Sequence, residues 1–157
     1  VEKLGTLTDP NALCNDYFFA LGAQGIVFDG AEPLLGVLRQ KGYVLAAVTN
    51  GALKTQTKRI NNSGIGHYFN GGIYISEQVG FKKPEKEYFD HVLKALGVTD
   101  RSEVLLLGDS PSSDILGAMN AGLDACFVTL RGEKLPSDLF AKYTAHSLDD
   151  IIKVCGL

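Results

Sequence analysis

The run Val104-Leu105-Leu106-Leu107 is apolar throughout and stops at Gly108-Asp109. A run that leaves neither face polar fits a strand covered on both sides. Tyr43–Val48 reads the same way, and Gly72–Ser76, Ala125–Thr129 and Tyr143–Ala145 read as further short strands. Segments of helical character separate them. Glu32-Pro33 opens one helix with Leu34, Leu35, Val37 and Leu38 inward, and Gly42 ends it. Ala52–Asn61, Pro84–Leu96 (Phe89, Val92, Leu93 and Leu96 on one face), Asp114–Ala121 and a last helix capped by Ser147 follow. This alternation predicts an α/β fold: a three-layer, Rossmann-like parallel sheet with helices on both faces.

The N-terminal part reads differently. Thr8-Asp9-Pro10 starts a helix running to about Leu21, and Val1–Gly5 reads as the tail of another helix with its glycine stop. A chain that opens on a helix end is expected to be part of something longer.

With 157 residues, 45% hydrophobic and 21% charged, the sequence suits one globular core. The net charge is −3 and no basic run exceeds two residues, which excludes a nucleic-acid partner held by phosphate contacts. No apolar stretch approaches a membrane span, so no membrane partner is expected. Cys14, Cys126 and Cys155 are odd in number and fit no metal spacing. They read as reduced thiols, each a small core hydrophobe, in a cytoplasmic protein.

In parallel sheets, ligands bind beyond the carboxyl ends of the strands. Three segments fall there: Thr49-Asn50-Gly51, Lys82-Lys83-Pro84, and Asp109 to Asp114. Asp109 and Asp114 at the end of a buried strand are costly unless a cation joins them, and oxygen ligands point to magnesium. The alternative is that Asp114 caps the next helix while Asp109 turns the loop. Thr49, Asn50 and Gly51 can form an anion pocket, though the same tripeptide also serves as an ordinary turn. Lys83 can screen a phosphate; Lys82 is expected to be surface. Together the segments describe phosphate held between a hydroxyl, a lysine and a metal on aspartates.

Val48-Thr49-Asn50-Gly51, Lys83-Pro84 and Gly108-Asp109-Ser110-Pro111-Ser112-Ser113-Asp114 resemble the second, third and fourth motifs of the haloacid dehalogenase superfamily. Ile75–Gly80 and Asp114–Gly122 are similar to its capped, pyrimidine 5′-nucleotidase-like phosphatases. The resemblance covers Ala31 to the end. It implies a magnesium-dependent phosphomonoester hydrolase acting on a small soluble phosphate ester, such as a nucleoside monophosphate, through an aspartyl-phosphate. In that scheme Thr49 and the backbone near Asn50 and Gly51 bind the phosphoryl group, and Lys83 neutralises it. Asp109 and Asp114 hold Mg2+, Asp114 directly or through water or Lys83. A second aspartate, two residues beyond the nucleophile, serves as acid and base.

The first motif of that superfamily, Asp-x-Asp, is not found. Val27-Phe28-Asp29-Gly30 has Val27 where the nucleophile should stand, with Asp29 only 20 positions before Thr49. It reads instead as the return from a cap. Residues 1–30 are therefore expected to be the end of a helical cap and its return loop, and 31–157 a core without its first, central strand. That strand belongs between those bearing Thr49 and Asp109, and is expected from a missing N-terminal segment or a second chain. Two other readings stand beside this one. The first is an inactive fragment or phosphate-binding scaffold domain. The second is a phosphomutase or haloacid dehalogenase, the dehalogenase leaving the two aspartates unexplained.

Overall fold

Asp9 opens the first helix, α1 (Pro10–Ala23), by accepting the Asn11 N–H at 3.0 Å, with Pro10 where an N–H is not needed. The computed structural model describes residues 9–157. The helix tail expected at Val1–Gly5 lies outside the described residues. α1 runs past Leu21 because the Asn62 side chain donates to the carbonyls of Gly22 and Ala23, at 3.4 and 3.2 Å, and so caps its end. Gly25 then lies so close to the backbone at Asn62-Ser63 that no Cβ would fit there.

The remaining elements follow the expected alternation: α2 (Ala31–Gln40), β1 (Ala46–Thr49), α3 (Leu53–Ser63), β2 (Gly72–Ile75), α4 (Ser76–Val79), α5 (Lys86–Leu96), β3 (Leu105–Gly108), α6 (Leu116–Ala121), β4 (Asp124–Val128), β5 (Tyr143–Ala145) and α7 (Leu148–Val154). Two differences from the sequence reading have local causes. α4 is a single turn, too short to show a helical period. The helix expected from Asp114 is split, because Pro111–Ile115 forms a wide turn in which the Ser110 carbonyl accepts both Asp114 N–H (2.9 Å) and Ile115 N–H (3.2 Å).

All strand pairs are parallel. β1 pairs with β2, and β3–β4–β5 form a second ladder. No ladder joins β1 to β3 among the described residues. Alternation along β4 separates two cores. Ala125 and Phe127 face Tyr88, Phe89 and Val92 of α5 and Ala118 and Ala121 of α6. Cys126 faces the other way, with Leu34 and Leu38 of α2, Ala145 of β5 and Ile151 of α7. These are the three layers read from the sequence.

Cys126 is fully buried, Cys155 partly, and Cys14 exposed. Burial pushes the Cys126 thiol up to about 11, so it behaves as the expected core hydrophobe. Cys14 does not, because α1 leaves Leu13, Tyr17, Phe18 and Phe19 open to solvent as well. No helix among the described residues is long and apolar enough to cross a membrane.

Candidate active site

The three strand-end segments meet at one end of the molecule, around Lys83. Its ammonium donates to the Val48 carbonyl of β1 at 3.0 Å and to Asp114 Oδ1, beyond β3, at 2.6 Å. It thereby bridges the two ladders at their carboxyl ends. Both side chains are withdrawn from solvent, Lys83 at 11% and Asp114 at 7% exposure. A charge pair this buried persists only when its remaining polar atoms are satisfied. Asp114 Oδ2 accepts the Ser110 N–H at 3.0 Å. Gly108 makes the approach possible, since a Cβ there would overlap the Asp114 side chain. The structure thus gives Asp114 a lysine partner, and the cap of the following turn is Ser110, whose Oγ accepts Ser113 N–H at 3.3 Å. The alternative role of Asp114 as a helix cap is not observed.

The backbone of Lys83 is fixed by Asn50. The Asn50 amide donates to Lys83 O and accepts Lys83 N–H, both at 2.9 Å, imitating a strand rung across the turn. The Lys83-Pro84 peptide is cis. Asn50 O accepts from Gln56 Nε2 at 2.9 Å, and Gly51 N–H is taken by Ser76 Oγ at 3.0 Å. Gly51 has φ +139, and a Cβ there would meet the Gln56 amide at 2.8 Å. The Asn50 side chain and Gly51 N–H, expected to face phosphate, are therefore engaged in building the loop. Among the described residues the Thr49 hydroxyl makes one hydrogen bond, to the Asn50 carbonyl at 3.3 Å, and the Thr49 N–H donates to the Tyr88 hydroxyl at 3.0 Å.

Asp109 is exposed immediately after β3, and its carboxylate has no hydrogen-bond partner among the described residues. Among those residues no three carboxylates, imidazoles or thiols gather closely enough to hold a metal. Lys82 is exposed, as expected. Asp29 lies exposed in the turn between α1 and α2, not at a strand end. Arg131 to Lys134 is exposed, anchored through Thr129 Oγ1 to the Glu133 carbonyl and Oε2, each at 2.9 Å.

Between β1 and β3 runs a largely apolar cavity of about 600 Å³. Val48 of β1, Leu106 and Leu107 of β3, and Phe89, Val92 and Leu96 of α5 line it. Leu107 is 38% exposed into this region although it sits mid-strand.

Sequence reasoning did not single out Tyr88, and it read Ser76 and Glu77 only as part of the Ile75–Gly80 resemblance. Tyr88 looks like one more core residue of an amphipathic helix. Ser76 and Glu77 immediately follow β2, the same carboxyl-end position that marked the other segments. Glu77 Oε2 accepts Leu53 N–H at 2.5 Å, at the start of α3.

A family model described as haloacid dehalogenase-like hydrolase matches residues 3–122. The chain is 34% identical over 143 residues to pyrimidine 5′-nucleotidase YjjG of Escherichia coli, covering 91% of this chain and 63% of that protein. It is 32% identical over 151 residues to pyrimidine 5′-nucleotidase PynA of Streptococcus pneumoniae, covering 96% and 63%. The magnesium-bound crystal structure of the putative hydrolase YfnB of Bacillus subtilis superposes with a TM-score of 0.90 at 31% identity, covering 99% of this chain and 68% of that one. The chain thus spans somewhat over half the length of the curated relatives it matches.

Proposed function

The chain belongs to the haloacid dehalogenase-like hydrolases, and from that premise we propose that it forms most of the core of a magnesium-dependent phosphomonoesterase. The proposed substrate is a small phosphate ester, with a nucleoside monophosphate the favoured class because YjjG and PynA are named pyrimidine 5′-nucleotidases. The observation that carries the proposal is the buried Lys83–Asp114 pair, which joins the carboxyl ends of β1 and β3.

An ammonium has three N–H donors, and Lys83 spends two on Val48 and Asp114. The third is free for a phosphoryl oxygen or for an attacking carboxylate. Thr49 Oγ1 supplies a second donor to the phosphoryl group. Thr49 ends β1, and the Lys83 ammonium is bonded to Val48 of the same strand, so their positions are set before substrate arrives, which is where such catalysis gains most.

The acidic residues fit magnesium as part of a site. Magnesium takes hard oxygen ligands and commonly only one or two carboxylates beside water and phosphate oxygens. Asp109 offers an unengaged carboxylate; Asp114, with one oxygen on Lys83 and one on Ser110, would act through water or through Lys83. When bound, the ion would neutralise charge on the phosphoryl group.

The nucleophilic aspartate, and the acid–base aspartate two residues on, are proposed to arrive on a strand that fills the cavity between β1 and β3. That strand comes from a segment preceding this sequence or from a second chain. The unpaired facing edges of β1 and β3 and the apolar lining support this placement. In this reading α1 is the end of a cap. The same cavity favours a second reading for residues 9–157 by themselves, a phosphate-binding domain without turnover.

Phosphate release from a panel of nucleoside and sugar monophosphates, with and without magnesium, tests the proposal. Magnesium-dependent turnover abolished by Asp109→Asn is the expected result. Turnover indifferent to magnesium and to Asp109→Asn would refute it.

A further inference from the structure

We infer that Tyr88 is a positioning residue for the phosphate-binding end of β1, its hydroxyl built into the β1–β2 ladder so as to fix the Val48–Thr49 peptide. The inference rests on the phosphatase reading and deepens it.

The register pairs Thr49 with Ile75. In a parallel ladder, an N–H that faces the neighbouring strand reaches the carbonyl one residue before its partner, here Tyr74. The Tyr88 hydroxyl sits at this rung. Thr49 N–H donates to it at 3.0 Å, and it donates to the Tyr74 carbonyl at 2.7 Å, so one phenol oxygen ties the last pair of the ladder to α5. Tyr88 is wholly buried, and its donor and one acceptor position are both used. Desolvation pushes its hydroxyl up to about 12, so the proton that bonds Tyr74 is retained throughout the neutral range.

The peptide so held is the one that anchors Lys83. Its N–H end is fixed by Tyr88 and its carbonyl end, at Val48, accepts the Lys83 ammonium at 3.0 Å. Without the phenol oxygen the Thr49 N–H and the Tyr74 carbonyl would lose the partner they share, and the end of β1 would be free to shift. The Thr49 hydroxyl and the Lys83 ammonium would then move together, although Tyr88 touches neither.

The test measures orthophosphate affinity by calorimetry and thermal unfolding on the full-length protein with magnesium, for wild type, Tyr88→Phe and Ile151→Ala. Ile151 is buried in the other core cluster and does not line the cavity between β1 and β3. Tyr88→Phe is expected to weaken orthophosphate binding roughly tenfold, the scale of one buried hydrogen bond. Ile151→Ala is expected to lower the unfolding midpoint and leave the affinity unchanged. Equal affinities for wild type and Tyr88→Phe, or an equal loss in Ile151→Ala, would overturn the inference. A wild type that binds no orthophosphate would overturn the phosphatase reading itself. If Tyr88→Phe does not fold, amide exchange decides. The Thr49 amide is expected to be protected like a core amide in phosphate-free wild type, and exchange at the rate of an open loop would overturn the inference.

Discussion

Asp114 shows how a single position can be half legible. Its place beyond an apolar run marks it as a residue that needs a cation, and the structure supplies Lys83 at 2.6 Å. Which cation it meets is not written in the spacing, because Lys83 is brought there by a turn two strands away in the fold. Breaking the pair should be costly. Asp114→Asn is expected to destabilise the protein by about 3–5 kcal/mol in urea titration, since it leaves a buried ammonium uncompensated. Gly108→Ala should act in the same direction through the overlap with Asp114. Asp109→Asn is exposed and should shift stability by no more than about 0.5 kcal/mol while abolishing magnesium-dependent turnover. A large loss of stability at Asp109, or none at Asp114, would contradict the roles given to each. Tyr88 was illegible for the opposite reason. Its spacing on α5 is that of a core residue, and only the ladder geometry shows what its hydroxyl does.

At the scale of elements, the regular strands and helices could be read because each carries its own boundary chemistry. Ser147 accepts Asp150 N–H at 3.2 Å, as the sequence suggests, and Gly64 stops α3 at φ +74. What escaped were α4 and the wide turn at Pro111–Ile115, whose short spans have no period and depend on contacts with other segments. Two elements also set a pH dependence. Tyr88 on α5 is raised from 10.0 to about 12 and Cys126 on β4 from 9.0 to about 11, both chiefly by burial. Well below pH 9, near neutrality, both groups are protonated in the folded and unfolded chain, and their full contribution is present. As pH rises through 9 to 12 the unfolded chain ionises first, so stability falls, on the order of 2 kcal/mol for each group. Urea midpoints should therefore drop across that window. A flat profile, or a rise, would contradict the burial of these groups. Cys126→Ala should reduce the slope.

For the whole molecule, the decisive feature is the division of the parallel strands into a pair and a trio facing each other across an apolar cavity. The superfamily resemblance implies a strand between those bearing Thr49 and Asp109. Composition and periodicity do not, because a sequence announces the strands it has and not the neighbours they need. Without a strand in that gap, two unpaired edges and Leu107 stay open to water. The 157-residue polypeptide by itself should accordingly bind a hydrophobic dye and self-associate, and a completed sheet should suppress both. The central claim, a phosphate site shared between these residues and a strand from elsewhere, is tested most directly by one combined measurement. Magnesium-dependent phosphate release is followed on the protein as the cell produces it, with the intact mass of the same sample recorded. The account predicts turnover only from material heavier than 16.9 kDa or carrying a second chain, and its loss in Asp109→Asn. Turnover from a lone 16.9 kDa chain would contradict it.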